Sequence, residues 1–236
     1  MIDFSADTDF AAGCVICVDK PLRWTSTDVV RKIKFAIEKL GYRKIKVGHA
    51  GTLDPLATGV LIVCVGKATK RVEELQAERK EYVTEMILGA TTPSFDMEHP
   101  VDKTYPWQHI TEQDVKRSLE ELCGERLQTP PVYSAKKMDG KRAYEYAREG
   151  EQVAMRQSLI HIYDMELLEF EPPRIKIRVE CSKGTYIRSL AKEIGEKLDS
   201  GAYLCSLRRT RSGDYDEKKA IELEKIIKIL SNAKQN

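Results

Sequence analysis

Asp54 is the acidic residue with the most unusual surroundings in this sequence. It lies in a stretch that holds three glycines and a proline and leads directly into an apolar run at residues 59 to 66: Gly48-His49-Ala50-Gly51-Thr52-Leu53-Asp54-Pro55-Leu56-Ala57-Thr58-Gly59. Such residues shape tight turns, and a loop joined to a buried strand holds side chains well enough for catalysis. The pattern therefore predicts a carboxylate presented for chemistry. An Asp-Pro turn without chemical function explains the same residues, and the local sequence leaves both interpretations open.

The cysteines and histidines do not form a metal or redox motif. Six cysteines are scattered along the chain, and the pair Cys14 and Cys17 has no second pair or histidine cluster at zinc spacing. We expect buried thiols in a reducing compartment, with no metal and no cofactor. No apolar run reaches the roughly 18 residues that span a bilayer, and no secretory segment precedes the first cysteine. The sequence therefore predicts a cytoplasmic protein without a membrane partner.

Charge is concentrated locally although the whole chain is nearly balanced. The chain has 39 basic and 37 acidic residues, a net charge of +2. Three stretches are strongly basic, at residues 31 to 46, 136 to 142 and 208 to 211. Each is typical either of a solvated protein face or of a surface that contacts nucleic-acid phosphates.

Capping residues and apolar spacing predict the elements that would position Asp54. Residues 25 to 28 and 111 to 114 carry helix-capping side chains, and each group precedes apolar residues at helical spacing. Further helices are predicted through residue 75, over about 141 to 148, over 187 to 198 and near 220 to 230. Strand patterns occur at residues 15 to 18, 59 to 66, 80 to 88 and 175 to 181, and residues 91 to 106 read as a loop. We predict one mixed α/β domain from residue 13 to 236, after an N-terminal extension of residues 1 to 12.

The Asp54 string resembles the catalytic motif of the TruB family of tRNA pseudouridine synthases, Gly-His-Thr/Ala-Gly-x-Leu-Asp-Pro-x-Ala-x-Gly. Four other segments resemble motifs of this family in the same order: Asp19-Lys20-Pro21 with Trp24-Thr25-Ser26, then Lys80-Glu81-Tyr82, Cys181-Ser182-Lys183-Gly184-Thr185-Tyr186-Ile187-Arg188, and Leu207-Arg208-Arg209-Thr210 with Ser212-Gly213. The resemblance covers residues 13 to 213. It implies the pseudouridine synthase catalytic fold, an α/β (α+β) fold with a mixed, largely antiparallel sheet flanked by helices.

The resemblance also implies a reaction and residue roles. The reaction would be isomerisation of the uridine at position 55 in the T-loop of tRNA to pseudouridine, with the base flipped out and no cofactor. Asp54 would be the nucleophile, Arg188 would pair with it and keep it ionised, and Tyr82 would stack on the uracil. Attack at C6 of the base and attack at C1′ of the sugar both remain open. The substrate-binding residues would be His49, Lys20, Tyr186 and Leu207.

The basic stretches would contact phosphates of the T-arm of tRNA. The residues predicted for this role are Arg31, Lys32, Arg43, Lys44, Lys136, Lys137, Arg142, Arg208, Arg209 and Arg211. No obligate protein partner is implied. The RNA-binding PUA domain of many relatives has no counterpart in the residues after 213, so we expect recognition by the catalytic domain alone. Action on another RNA, and a role in RNA binding or tRNA folding without chemistry, are the competing interpretations.

Overall fold

The computed structural model of this chain describes residues 5, 8–134, 137–138, 141–142, 146 and 155–232. The predicted site residue Lys136 lies outside them, and so do the side chains of Lys137 and Arg142. Residues 141–142, predicted to start a helix, form a short strand instead. The rest of that predicted helix, apart from residue 146, also lies outside the described residues.

The described residues form five α-helices and fourteen strands. The helices are α1 Ser26–Glu38, α2 Val72–Ala77, α3 Glu112–Leu122, α4 Ile187–Lys197 and α5 Leu223–Asn232. The strands are β1 Cys14–Lys20, β2 Val47–His49, β3 Ala57–Val65, β4 Lys80–Leu88, β5 Ala90–Thr91, β6 Lys103–Thr104, β7 Gly124–Gln128, β8 Lys137–Met138, β9 Lys141–Arg142, β10 Ser158–Glu171, β11 Arg174–Cys181, β12 Ala202–Ser212, β13 Tyr215–Asp216 and β14 Ile221–Glu222. A 3₁₀ helix spans Gly66–Arg71.

The chain divides into two compact units, and strands β4 and β12 contribute residues to both. The first unit comprises the described residues of 1–82 and 207–236, and its strands follow the order β14-β1-β3-β12. Strand β1 pairs antiparallel with β3, whereas β12 runs parallel to β3. Cys17, Ile62 and Cys64 are buried in one apolar cluster of this unit. Helix capping, predicted over residues 25 to 28, is confirmed at the start of α1, where Thr25 and Asp28 form a capping box. Phe10 is fully buried although the sequence predicts that the domain begins near residue 13.

The second unit comprises the described residues of 83–206, and its strands follow the order β4-β11-β10-β7. Strands β10 and β11 form a long antiparallel pair, and β10 also pairs antiparallel with β7. Ile175, Ile177 and Val179 are buried while the alternate residues of β11 are partly exposed, so the predicted period-two strand is confirmed. The capping box of Thr111 with Asp114 is confirmed at α3. The predicted fold class, α/β with a largely antiparallel sheet and flanking helices, is confirmed in both units.

Candidate active site

Asp54 is half-buried in the loop that connects β2 to β3. The loop is tied to the strand that follows it, because Ala50 N–H donates to Ile62 O at 2.9 Å. Directly after the carboxylate, the Ala57 N–H donates to Asp54 O at 3.0 Å and closes a turn. Asp54 therefore belongs to a short, internally bonded segment next to a buried strand, as its sequence predicts.

Ser26 bonds the backbone of Leu53, the residue that precedes Asp54. The Ser26 hydroxyl accepts from Leu53 N–H at 2.8 Å and donates to Leu53 O at 3.0 Å. The sequence indicates Ser26 only as one of several hydroxyl residues at the start of α1. The helix cap itself is provided by Thr25, so the contact of Ser26 with the loop is an additional role that local sequence does not indicate.

Arg209 is buried below the same loop, with 1% of its surface exposed. Its guanidinium donates from Nε to Val60 O at 2.6 Å and from Nη2 to Gly51 O at 3.1 Å. This position does not fit the predicted contact with RNA phosphates, since the charged group is directed at carbonyls of its own unit. Arg209 holds the loop instead.

Lys20 lies at the end of β1 with none of its surface exposed. Its ammonium donates to Trp24 O at 2.6 Å, to Pro21 O at 2.9 Å and, at a longer 3.5 Å, to Pro55 O beside the carboxylate. Burial lowers the pKa of Lys20 to about 8, Asp54 acts to raise it and Arg209 acts to lower it. The ammonium is therefore buried beside the loop and contacts its backbone at Pro55.

The other predicted residues of the first unit lie on strands around this loop. His49 is half-buried at the end of β2, and Tyr82 is 9% exposed on β4. Leu207 is half-buried on β12, where it stands opposite Ala57 in the register with β3. Leu207, predicted to bind substrate, thus lies across the strand pair from Ala57, which follows Asp54 by three positions.

Arg188 and Tyr186 belong to the second unit, at the start of α4. Arg188 is 4% exposed, and its guanidinium donates to Tyr133 O at 2.8 Å and to Ser94 O at 3.2 Å. Its Nε lies 3.7 Å from a carboxylate oxygen of Asp96, which is also buried. The guanidinium is therefore held by several fixed partners. The sequence does not indicate Asp96, because a single acid in a predicted loop has no pattern that separates it from exposed acids.

Gln128 fixes the backbone in front of Arg188. The Gln128 side chain is 1% exposed, accepts from Tyr186 N–H at 2.8 Å and donates to Tyr186 O at 3.2 Å. Tyr186 is half-buried and precedes the first residue of α4. A buried amide that bonds both the N–H and the carbonyl of one residue fixes the backbone where the helix begins. The sequence does not indicate this role, because a glutamine followed by Thr129 and two prolines has no pattern that separates it from an exposed glutamine.

The predicted phosphate-binding residues fall into two groups. Arg31, Lys32, Arg43 and Lys44 are exposed in the first unit. Arg208 instead donates to both carboxylate oxygens of Asp19 at 3.0 Å and also to Glu217. Arg211 lies 3.6 Å from Glu81. The arginines of the basic stretch at residues 208 to 211 are thus bonded within the first unit.

A cavity of about 460 Å³ lies in the first unit, and residues from the C-terminal part of the basic stretch at residues 31 to 46 line it. Tyr42 and the buried Ile45 line it, together with the cations Arg43, Lys46, Lys67 and Lys70. The lining residues that the structure describes include no carboxylate. Lys67 and Lys70 are distant in sequence from the predicted clusters, so only the fold shows that they join Arg43.

Comparison with known proteins identifies the family. The model of the TruB family pseudouridylate synthase (N terminal domain) matches residues 38–187, and that of the tRNA pseudouridylate synthase B C-terminal domain matches residues 188–236. The chain belongs to the TruB family. It is similar to tRNA pseudouridine synthase B of Phocaeicola vulgatus, at 59% identity over 87% of this chain and 88% of the relative. The relative of that name from Flavobacterium johnsoniae is 48% identical over 91% of this chain and 95% of its own.

Two solved structures contain chains whose fold is similar to that of this chain. A structure described as a Cbf5-Nop10-Gar1 complex contains a chain that is 34% identical, with a TM-score of 0.72 over 95% of this chain. An H/ACA RNP bound to a substrate RNA containing 2'-deoxyuridine gives 32% identity and a TM-score of 0.66 over 91% of this chain. The TruB chain spans 56% and 52% of those two chains.

Membership of the TruB family makes this chain a pseudouridine synthase, an isomerase. Pseudouridine formation breaks the N1–C1′ bond of uridine, turns the base over and joins C5 to C1′. The proton on C5 is lost and N1 gains one, so atoms and electrons balance without a redox partner. Among the described residues no helix is long and apolar enough to cross a membrane.

Proposed function

We propose that this TruB enzyme converts the uridine at position 55 in the T-loop of tRNA to pseudouridine, with Asp54 as the nucleophile. The observation that carries the proposal is the half-buried Asp54 in a bonded loop, where the Lys20 ammonium lies 3.5 Å from the carbonyl of the next residue, Pro55, in a chain 59% identical to a tRNA pseudouridine synthase B. A carboxylate held in this way is oriented before the substrate arrives.

The target base of a folded RNA loop must leave its stack before a recessed carboxylate can reach it. We propose that the nucleotide flips, that Asp54 attacks it and that Tyr82 packs on the released uracil. Arg188 would supply a positively charged guanidinium to the site. Asp96 and the carbonyls of Ser94 and Tyr133 hold this guanidinium in place. His49, Tyr186 and Leu207 would contact the nucleotide.

The exposed cations of the first unit are proposed to contact phosphates of the T-arm. Arg31, Lys32, Arg43 and Lys44 come from the sequence pattern, and the lining of the cavity adds Lys46, Lys67 and Lys70. Phosphate contacts position an RNA without reading its sequence. The cytoplasm, where tRNA is modified, is the proposed location.

Tritium release tests the reaction and the substrate together. Full-length tRNA and a T-arm hairpin of about 17 nucleotides, both labelled with tritium at C5 of uridine, are incubated with the enzyme, and the modified position is then mapped. We expect release from both RNAs, and none from a matched hairpin with cytidine at position 55. Release that maps to another nucleotide would contradict the T-loop assignment.

Asp54→Asn tests the nucleophile. The amide keeps the shape of the side chain but removes the charge that attacks, so we expect turnover to fall by more than about 1,000-fold, a loss typical of removing an essential catalytic group. The Kd for tRNA should stay within about threefold of wild type, because phosphate contacts dominate binding. Substantial pseudouridine formation by this variant would refute Asp54 as the nucleophile.

A further inference from the structure

Two buried polar side chains outside the proposed reacting groups bond to the backbone around Asp54. Ser26 is 1% exposed and bonds both backbone polar groups of Leu53, the N–H and the carbonyl. Arg209, also 1% exposed, bonds the carbonyls of Gly51 and Val60, which lie on the two sides of the carboxylate in the chain. The loop is thus bonded by α1 on one side and by β12 on the other.

Helix formation does not explain the hydroxyl of Ser26. The N-terminus of α1 already has a complete capping box, in which Thr25 and Asp28 bond each other's backbone N–H groups. A serine one position later has no free role in that cap. Its hydroxyl instead bonds the backbone of Leu53, which lies 27 positions later in the chain and directly before Asp54.

Packing alone does not explain the guanidinium of Arg209. Burying a charged group is costly, and an apolar side chain of similar size fills space at lower cost. The guanidinium gives what an apolar group cannot, since it joins the beginning of the loop to strand β3 through two carbonyls. Gly51 has φ of +105°, and a Cβ built there would lie 3.5 Å from Nη1 of Arg209. That distance is an ordinary van der Waals contact, so the positive φ rather than crowding favours glycine at this position.

We infer that Ser26 and Arg209 are positioning residues, which hold the loop so that the Asp54 carboxylate lies where the nucleotide is attacked. The inference rests on the proposed role of Asp54. A displacement of about 1 Å at a reacting group can lower the rate about 100-fold, and these two side chains add bonds at Gly51, Leu53 and Val60 to the backbone bonds that already shape the loop. Neither side chain is exposed, so neither contributes to RNA affinity.

Ser26→Ala is the first test, with Ser200→Ala as its matched control. Ser200 is a 6% exposed serine of the second unit that donates one hydrogen bond to Pro106 O at 2.8 Å. Both variants should lower the Tm, and Ser26→Ala more, because it removes the partner of both the N–H and the carbonyl of the buried Leu53 whereas Ser200→Ala removes one bond to the exposed Pro106. We expect Ser26→Ala to lower the single-turnover rate by 10- to 100-fold with an unchanged Kd for tRNA, and Ser200→Ala to keep the wild-type rate. Ser26→Cys, which keeps the size but has a weak donor, should give an intermediate rate and serves if the alanine variant does not fold.

Arg209→Lys and Arg209→Met complete the test. A lysine retains the charge and reaches one carbonyl, so we expect a partial loss of rate, and the methionine variant should lose more. Because both residues act on one loop, the double variant Ser26→Ala with Arg209→Lys should be less impaired than the product of the single effects.

Distinct results separate this inference from the proposed function. A wild-type single-turnover rate in Ser26→Ala and Ser26→Cys, while Asp54→Asn is inactive, would overturn the positioning role alone. Equal loss of rate in Ser200→Ala would also overturn it, because general destabilisation would then explain the effect. Turnover in Asp54→Asn would instead refute the nucleophile and with it the premise of the inference.

Discussion

The Lys20 side chain places a positive charge in the interior beside the loop of Asp54. Its ammonium has no exposed surface, and its pKa of about 8 lies below the ordinary value of 10.5. Folding therefore disfavours its charged form. Between these two values the unfolded chain binds a proton that the folded chain does not, so stability rises with pH across this window. The cost of burying the charge is present in full below pH 8.

Lys20→Met should remove this pH dependence. We expect the free energy of unfolding of the wild type to rise between pH 8 and 10.5 by up to roughly 3 kcal/mol relative to Lys20→Met, since one pKa unit corresponds to about 1.4 kcal/mol. Urea unfolding at a series of pH values measures the difference. The control Lys218→Met removes an exposed ammonium and should change in parallel with wild type. Parallel curves for Lys20→Met would show that the buried ammonium keeps its ordinary pKa.

Single residues also show how far sequence reasoning reaches. Asp54 is recognisable because glycines and prolines surround it, and its place beside a buried strand follows from the apolar run after it. Asp96 and Gln128 carry no comparable signal, since their roles arise from contacts with Arg188 and Tyr186 that lie 92 and 58 positions away, respectively. Arg209 is misread because a run of arginines has the same pattern whether it faces RNA or the protein interior.

At the level of elements, the approach of β12 to β3 depends on Gly59. Its φ is +95°, and a Cβ would lie 2.2 Å from Arg209 O in the paired strand. We expect Gly59→Ala to lower the free energy of unfolding by at least about 2 kcal/mol, because strained backbone and overpacking both contribute. Gly41→Ala is the control, since φ is +98° but nothing lies within 4 Å of a Cβ. The free energy of unfolding of Gly41→Ala should fall by only about 1 kcal/mol. Urea unfolding measures both variants, and an equal loss in the two would show that the close approach of β12 to Gly59 adds no cost.

Elements with strong local signals were predictable, whereas those defined by pairing were not. The capping boxes at Thr25 and Thr111 and the strand Lys80–Leu88 follow directly from local chemistry. Strand β12 was not recognised because its arginines are untypical of a strand. The structure explains them, since Arg208 bonds Asp19 and Arg211 lies near Glu81. The long pair of β10 and β11 also depends on partners that no single segment reveals.

At the scale of the whole molecule, net charge is a poor guide to RNA binding. A chain with net charge +2 attracts a polyanion only through the arrangement of its charges. In the basic stretch at residues 208 to 211, Arg208 pairs with Asp19 and Glu217, and Arg211 lies 3.6 Å from a carboxylate oxygen of Glu81. The cations around the 460 Å³ cavity have no carboxylate among the described lining residues. We therefore expect the salt dependence of tRNA binding to come largely from this part of the first unit.

The double variant Lys67→Gln with Lys70→Gln tests that expectation. Each phosphate contact adds about 0.7 to 0.9 to the slope of log Kd against log salt concentration, because it releases counterions. Removing two contacts should lower the slope by between about 1 and 2 and weaken tRNA binding most at low salt. The single-turnover rate at saturating tRNA should stay near wild type, since the lysines hold the RNA but take no part in bond exchange. Lys103→Gln with Lys218→Gln, which removes two exposed lysines outside the cavity lining, should keep the wild-type slope. An unchanged slope in the cavity variant would show that the RNA backbone follows another surface.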